Sequence, residues 1–280
     1  MAGSALAARM RAAAWCALAA CALLPSAALA QGTIGGGSLD RCAVIVTGTD
    51  MRSRPSGMAQ CLRRVLVKVS GDPALADDPR VDRLAPEPGA LAEDLAYFDR
   101  MSDVPRRDEQ GSRDRPFDLV VDFDPAKIDA LLASLGVSPW RTGRPVLVAV
   151  LGIKDQHGGR YTLSGDGGDG ERQREALFAA AERFGMRVVL PLEADATAQG
   201  AATEAVVAET ARHVPSAPAA ALTGSLVWSD PDAGWVGAWH VAYGGREAAW
   251  GIRGVSFDEA FRSAVGGAAA VLSGHGAAAP

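Results

Sequence analysis

The sequence predicts an α+β N-terminal half followed by an α/β C-terminal half: a mixed sheet with parallel strands, then an antiparallel Trp-rich meander and a C-terminal helix. Three observations carry this. Val146-Leu147-Val148-Ala149-Val150-Leu151 is the longest β-type apolar run after the amino-terminal segment, and a Val-rich run without alternation marks a strand covered on both faces. Strand-like and helix-like segments then follow in turn, which implies parallel pairing through crossovers. From Ala221 the pattern changes to three strand-like segments joined by short Asp- and Gly-containing turns, the chemistry of hairpins.

Residues 1–30 read as a secretory signal: Arg9 and Arg11, an apolar run from Ala12 to Leu24, and a cleavage site after Ala30. A second reading takes Leu18-Ala19-Ala20-Cys21 as a lipobox, with Cys21 a lipidated anchor. The run is shorter than the roughly 20 residues a spanning helix needs, and no later segment offers a transmembrane span. The expected location is the periplasm. Without Arg9 and Arg11 the chain holds 26 basic against 33 acidic residues, a net charge of −7 that argues against nucleic acid as a partner.

The predicted N-terminal domain covers residues 31–139. Cys42 to Val46 is a first strand. Met58, Cys61, Leu62, Val65, Leu66 and Val69 share one face of a helix that Gly71 ends. Cys42 and Cys61 either pair as a disulfide, which export permits, or stay as buried thiols. Arg63, Arg64 and Lys68 lie off the apolar face, as a solvated surface or an anion site. Leu75–Leu84 and Glu87–Leu95 read as short helices, Leu95–Met101 as a strand, and Pro105–Arg115 as an exposed hairpin loop.

Phe117 to Asp124 alternates, with Asp118, Val120, Asp122 and Asp124 on one face. Carboxylates so placed suit acid/base work or a hard cation. Asp124 before Pro125 equally reads as a helix N-cap, leaving Asp118 and Asp122 to mark a wet face. Ile128, Leu131, Leu132 and Leu135 then form a helical stripe.

The predicted C-terminal domain covers residues 140–280. Trp140, Arg141 and Arg144 form the seam, where an indole and guanidinium groups stack or clamp, and are candidate binding residues. Gly165 to Gly170 matches G-x-G-x-x-G, but Asp166, Asp169 and Glu171 place negative charge where a pyrophosphate would sit, so Asp169 reads as a helix cap. A helix to Phe184, a strand Arg187–Leu190 and an Ala-rich helix Ala201–His213 precede the meander. Trp228, Trp235, Trp239 and Trp250 gather on adjacent meander strands, either as core or as a glycan or peptide platform. Ser256 to Glu259 is a capping box opening a helix with Phe257, Phe261, Val265, Ala268 and Leu272 on one stripe.

Leu62 to Gly71, Leu119 to Phe123, Trp140 with Arg144 to Val148, Phe184 to Leu192, and Leu222-Thr223-Gly224 together resemble domain-of-unknown-function family 2066, exported bacterial proteins. The resemblance covers nearly the whole chain after residue 30 and implies export and architecture, with no activity to carry over. The chain lacks a nucleophile elbow, a P-loop and HExxH spacing, and no cofactor is predicted. The leading expectation is a non-catalytic periplasmic binding or envelope-assembly accessory protein with an envelope protein as partner. Two alternatives stand: an envelope hydrolase using Asp118 and Asp122, and a small-ligand binder between the halves.

Overall fold

The computed structural model describes residues 37–85, 87–103, 115–196, 203–214 and 217–276. The signal and lipobox at residues 1–30, Cys21 included, lie outside the described residues, as does the polar loop at 104–114. In order the elements are β1 Arg41–Thr47, α1 Arg54–Ser70, α2 Pro79–Leu84, β2 Ala92–Asp99, β3 Pro116–Phe123, α3 Pro125–Ser134, β4 Val146–Lys154, β5 Arg160–Thr162, α4 Glu171–Arg183, β6 Arg187–Val189, α5 Glu193–Ala196, α6 Thr203–Arg212, β7 Ala219–Ser229, β8 Gly234–Tyr243, β9 Arg246–Val255 and α7 Phe257–Ser273.

The first sheet has the order β1-β3-β2, antiparallel throughout. β1 alternates, so Cys42, Val44 and Val46 turn inward, and α1 covers them with Met58, Cys61, Leu62 and Val65. Gly57 permits the close approach: a Cβ there would stand 2.7 Å from Val46 Cγ1 and 2.8 Å from Leu119 Cδ2. Cys42 and Cys61 are joined as a disulfide with Cα atoms 5.5 Å apart. A link across 19 positions is worth about 3 kcal/mol on the chain-entropy account. Asp124 caps α3, its Oδ1 accepting from the N–H groups of Ala126 and Lys127.

The predicted helix over Glu87–Leu95 is not formed. Pro88–Leu91 is a single 3-10 turn and Ala92 already starts β2, whose Leu95 and Tyr97 pair with Val121 and Leu119 of β3. Cross-strand pairing against a formed strand outweighs a weak local helical preference.

The second sheet runs β5-β4-β7-β8-β9, with β6 sharing the flank of β4 that β5 occupies. β4 pairs parallel with β6 and β7, and the meander β7-β8-β9 is antiparallel. Leu147, Ala149, Leu151 and Ile153 join the main apolar core, while Val146, Val148 and Val150 lie outside it on the other face, where α6 packs. Both faces of β4 are thus covered, as its continuous apolar run requires. α4 begins differently from its predicted cap: the N-cap is Gly170 at φ 84, with no side-chain cap bond, and Asp169 is exposed.

α7 covers the meander. Its Gly266 and Gly267 make room for aromatic rings: a Cβ on Gly267 would stand 2.5 Å from Trp250 Cε2, and one on Gly266 2.7 Å from Phe184 Cζ. The buried apolar residues of both sheets form one continuous cluster.

Arg144 fastens the two sheets at the connector. Its Nη2 donates to the carbonyls of Lys68 and Val69 at the end of α1, and its Nη1 donates to Phe184 O at 3.2 Å and Gly185 O at 3.0 Å, past the end of α4. Nε donates to Trp140 O at 2.7 Å, and the guanidinium carbon stands 4.3 Å from the centre of the Trp140 ring. Helix ends leave carbonyls without intrahelical donors, and here one side chain supplies donors to two of them at once. Burial, aided by the charge of Arg141, lowers the Arg144 pKa to about 10, which leaves it protonated at neutral pH.

Two substitutions check this packing. Arg144→Leu leaves buried carbonyls without donors and should lower the free energy of unfolding by about 2–4 kcal/mol, read as a shift in urea midpoint with unchanged slope. An unchanged midpoint would mean solvent already serves those carbonyls. Gly267→Ala should destabilise by about 1–3 kcal/mol through overpacking against Trp250, although alanine favours an isolated helix over glycine by about 1 kcal/mol. Thermal melting decides between the two signs.

Candidate functional site

Each residue singled out from the sequence has a defined place. Trp140 is half-buried beneath Arg144, and its backbone N–H donates to Val69 O at 2.8 Å. Arg141 makes a fork to Asp40, Nη1 to Oδ2 and Nη2 to Oδ1 both at 2.8 Å, and its Nε donates to Asp129 Oδ1 at 2.9 Å. The Asp40 hydrogen bonds first, then Asp129, raise its pKa against the opposing effect of burial. Arg141 therefore closes the connector back onto the first sheet and α3. Neither guanidinium is free, since Arg144 is bonded to carbonyls of the protein itself and Arg141 chiefly to two of its carboxylates.

Of the two readings of the tryptophans, core and platform, three of the four take the place of core. Trp235, Trp239 and Trp250 retain only 8%, 2% and 8% of their surface, because α7 lies over them. Trp235 meets Phe257 edge-on, Trp239 packs against Phe261, and Trp250 Nε1 donates to Ser263 O at 3.1 Å. Among the described residues Trp239 Nε1 is buried without a hydrogen-bond partner. Trp228 stands edge-on to Trp235 at the margin of this core, its Nε1 donating to Asp230 at 2.7 Å.

Asp118 and Asp122 sit on the outer face of the first sheet, four residues apart along β3, or about 13 Å at strand rise. That spacing exceeds what paired catalytic carboxylates use, about 5–9.5 Å. Each also faces a cation: Arg100 at 2.8 Å from Asp118 and Arg41 at 3.1 Å from Asp122. In the Gly-rich turn, Asp166 accepts from the Glu193 N–H at 2.7 Å and Arg174 donates to Gly167 O at 3.0 Å. The turn is thus tied to its own flanking elements. Among the described residues no group of three or more His, Cys, Asp or Glu is placed to hold a metal ion, and no helix is long and apolar enough to cross a membrane.

What the fold does assemble is a crevice of about 640 Å³ between β1 and α1 on one side and α4 and the start of α7 on the other. Arg41, Arg64, Lys68, Arg183 and Arg262 line it, against the acids Glu182 and Asp258. Arg41 is paired with Asp122 and Arg262 with Glu259. Lys68, predicted to lie away from the core, is buried, and its Nζ donates to Arg41 O at 2.8 Å. Burial lowers the Lys68 pKa, and the charge of Glu182 opposes that shift.

Three cations in the crevice have no ion pair among the described residues: Lys68, Arg64 and Arg183. Arg64 Nη1 donates to Ala43 O at 3.0 Å, and the side chain of Arg183 has no hydrogen bond or ion pair among the described residues. They lie close enough that Arg183 adds to burial in lowering the Arg64 pKa. The same two residues and Arg262 also border a second crevice of about 900 Å³ that continues along α1 and α7. Arg63, the third basic residue seen in the sequence, is spent elsewhere: it donates to the carbonyls of Ala76 and Asp78 and pairs with Asp82. Sequence reasoning found Arg64 but missed Arg183 and Arg262, which ordinary amphipathic spacing explains without any ligand.

Comparison with curated proteins and with solved structures finds no match in either. The family-model comparison overturns the resemblance to domain-of-unknown-function family 2066, since the model that matches is a different one. Residues 37–141, which hold the first sheet, α1 and the connector as far as Arg141, are similar to the family described as Domain of unknown function (DUF8605).

Proposed function

We propose that this protein is a non-catalytic binding protein of the bacterial cell envelope that recognises an anionic partner in the crevice between α1 and α4. The carrying observation is that Arg64 and Arg183 line the same crevice and neither has an ion pair with a carboxylate among the described residues. Such a pair costs free energy in the empty protein and is relieved by an anion, which gains charge-assisted bonds in a partly desolvated site. The signal-like residues 1–30 support export, with the periplasm as the location and a lipid anchor at Cys21 as its variant. The crevice volumes also accommodate a small anionic ligand, the form this reading takes if no protein partner is found.

The hydrolase alternative lacks support from geometry, because its two carboxylates are far apart and each is paired with an arginine.

Mild crosslinking in cells followed by recovery from the envelope fraction tests the proposal. The wild-type protein should bring down a defined component, and the Arg64→Ala, Arg183→Ala double variant should recover it at least about tenfold less well, since each charge-assisted bond is worth about 1.5–3 kcal/mol. The double variant should remain folded, because the loss of the Arg64 bond to Ala43 O is offset by relief of the like-charge repulsion, and circular dichroism checks this. The Asp118→Asn, Asp122→Asn variant should recover the component normally. Equal recovery by the arginine variant would sink the proposal, and loss of the cellular role in the folded Asp variant would favour the hydrolase.

A further inference from the structure

β1 is an edge strand, and its hydrogen-bonding pattern sets which backbone groups face outward. Phe123 N–H donates to Asp40 O at 3.0 Å and Gly48 N–H to Arg115 O at 2.8 Å, so the even-numbered residues of β1 face β3 and the odd-numbered ones face away. Of the outward carbonyls, Arg41 O receives Lys68 Nζ and Ala43 O receives Arg64 Nη1. The Ala43 N–H and both backbone groups of Ile45 and Thr47 take no partner among the described residues.

A groove of about 630 Å³ runs beside this open stretch, with Ile45 and Thr47 on one wall and Ser56, Ala59 and Gln60 of α1 on the other. Ile45 is 60% exposed, and no proline or lysine guards the edge there. Soluble proteins ordinarily blunt such an edge.

Resting on the crevice reading above, we infer that the partner enters as an extended peptide that adds to β1 as an antiparallel strand, with an acidic carboxyl-terminal end at Arg64 and Arg183. The polarity follows from the two occupied carbonyls. They end the open ladder toward the amino-terminal end of β1, where the cation cluster begins, and an antiparallel strand delivers its carboxyl-terminal end to that place. Main-chain bonds supply affinity, the α1 wall receives alternate side chains, and the cations select charge.

Fluorescence anisotropy tests this with a labelled hexapeptide of alternating threonine and valine that ends in two glutamates and a free carboxylate. Binding should weaken at least about tenfold with Ile45→Pro, which removes an outward N–H that no ladder bond uses, a place where edge strands accept proline. It should weaken as much for wild-type protein with a probe N-methylated at alternate residues, a comparison independent of any folding defect in the variant. A probe ending in two glutamines and an amide should also lose affinity.

Undiminished binding by folded Ile45→Pro protein, or of the N-methylated probe, overturns strand addition. If the arginine double variant alone loses the probe, strand addition fails while the crevice reading stands. If that variant binds normally, the crevice reading fails. Absence of wild-type binding overturns the strand proposal and leaves the crosslinking result to judge the crevice. A wild-type dimer that Ile45→Pro dissociates also overturns it, since a second copy would then occupy the edge.

Discussion

The guanidinium of Arg144 lies where two helices stop and two sheets meet, and its donors go to carbonyls on both sides of that junction. A buried carbonyl without a donor costs about 1–3 kcal/mol, so α1 and α4 could not end together in the interior without a group of this kind. Lysine would offer a point charge, whereas the planar fork of arginine reaches several acceptors at once and still presents a face to Trp140. Arg141 does a related task toward Asp40 and Asp129. The connector is therefore a clasp, its own chemistry consumed by holding the halves together.

The crevice is a consequence of that clasp. With the end of α1 held close to the end of α4, the preceding turns of both helices are brought near each other, and those turns carry Arg64 and Arg183. A carboxylate between them would have been simple to place, since Glu182 is adjacent in the chain. Glu182 instead acts on Lys68, whose amine is already committed to Arg41 O. Folding thus leaves Arg64 on the wall of the crevice that borders the open edge of β1 and Arg183 on the opposite wall.

Elements whose own pattern decides their fate were legible in the sequence. The Val146–Leu151 run has no alternation and so needs cover on both faces, while the apolar stripes of α1 and α7 each carry a helical period. β2 was read in part as helix because its signal lies in pairing with β3, which no local window contains. Gly170 replaced Asp169 at the start of α4 because the backbone there takes a positive φ, which glycine reaches without strain. The tryptophans leave core and platform both open in the sequence, because aromatic clusters look alike whether a helix covers them or not. Arg183 was invisible for the opposite reason: one exposed arginine on a helix becomes informative only when Arg64 faces it. The family resemblance misled in a similar way, since apolar helix and strand segments with scattered basic residues occur in many unrelated chains.

The disulfide bears on how ready the β1 edge is to receive a strand. Cys42 lies between Arg41 and Ala43, the two residues whose carbonyls are bonded by side chains of α1, and its partner Cys61 is on that same helix. Three consecutive positions of β1 are therefore fastened to α1, one covalently and two by cationic donors. The neighbouring stretch from Ile45 to Thr47 is held by β3 and the core alone. An edge so anchored at one end has little conformational freedom left to lose on pairing, and the cost of ordering a site counts directly against affinity. In an oxidising compartment the link persists and the edge stays in register with its groove.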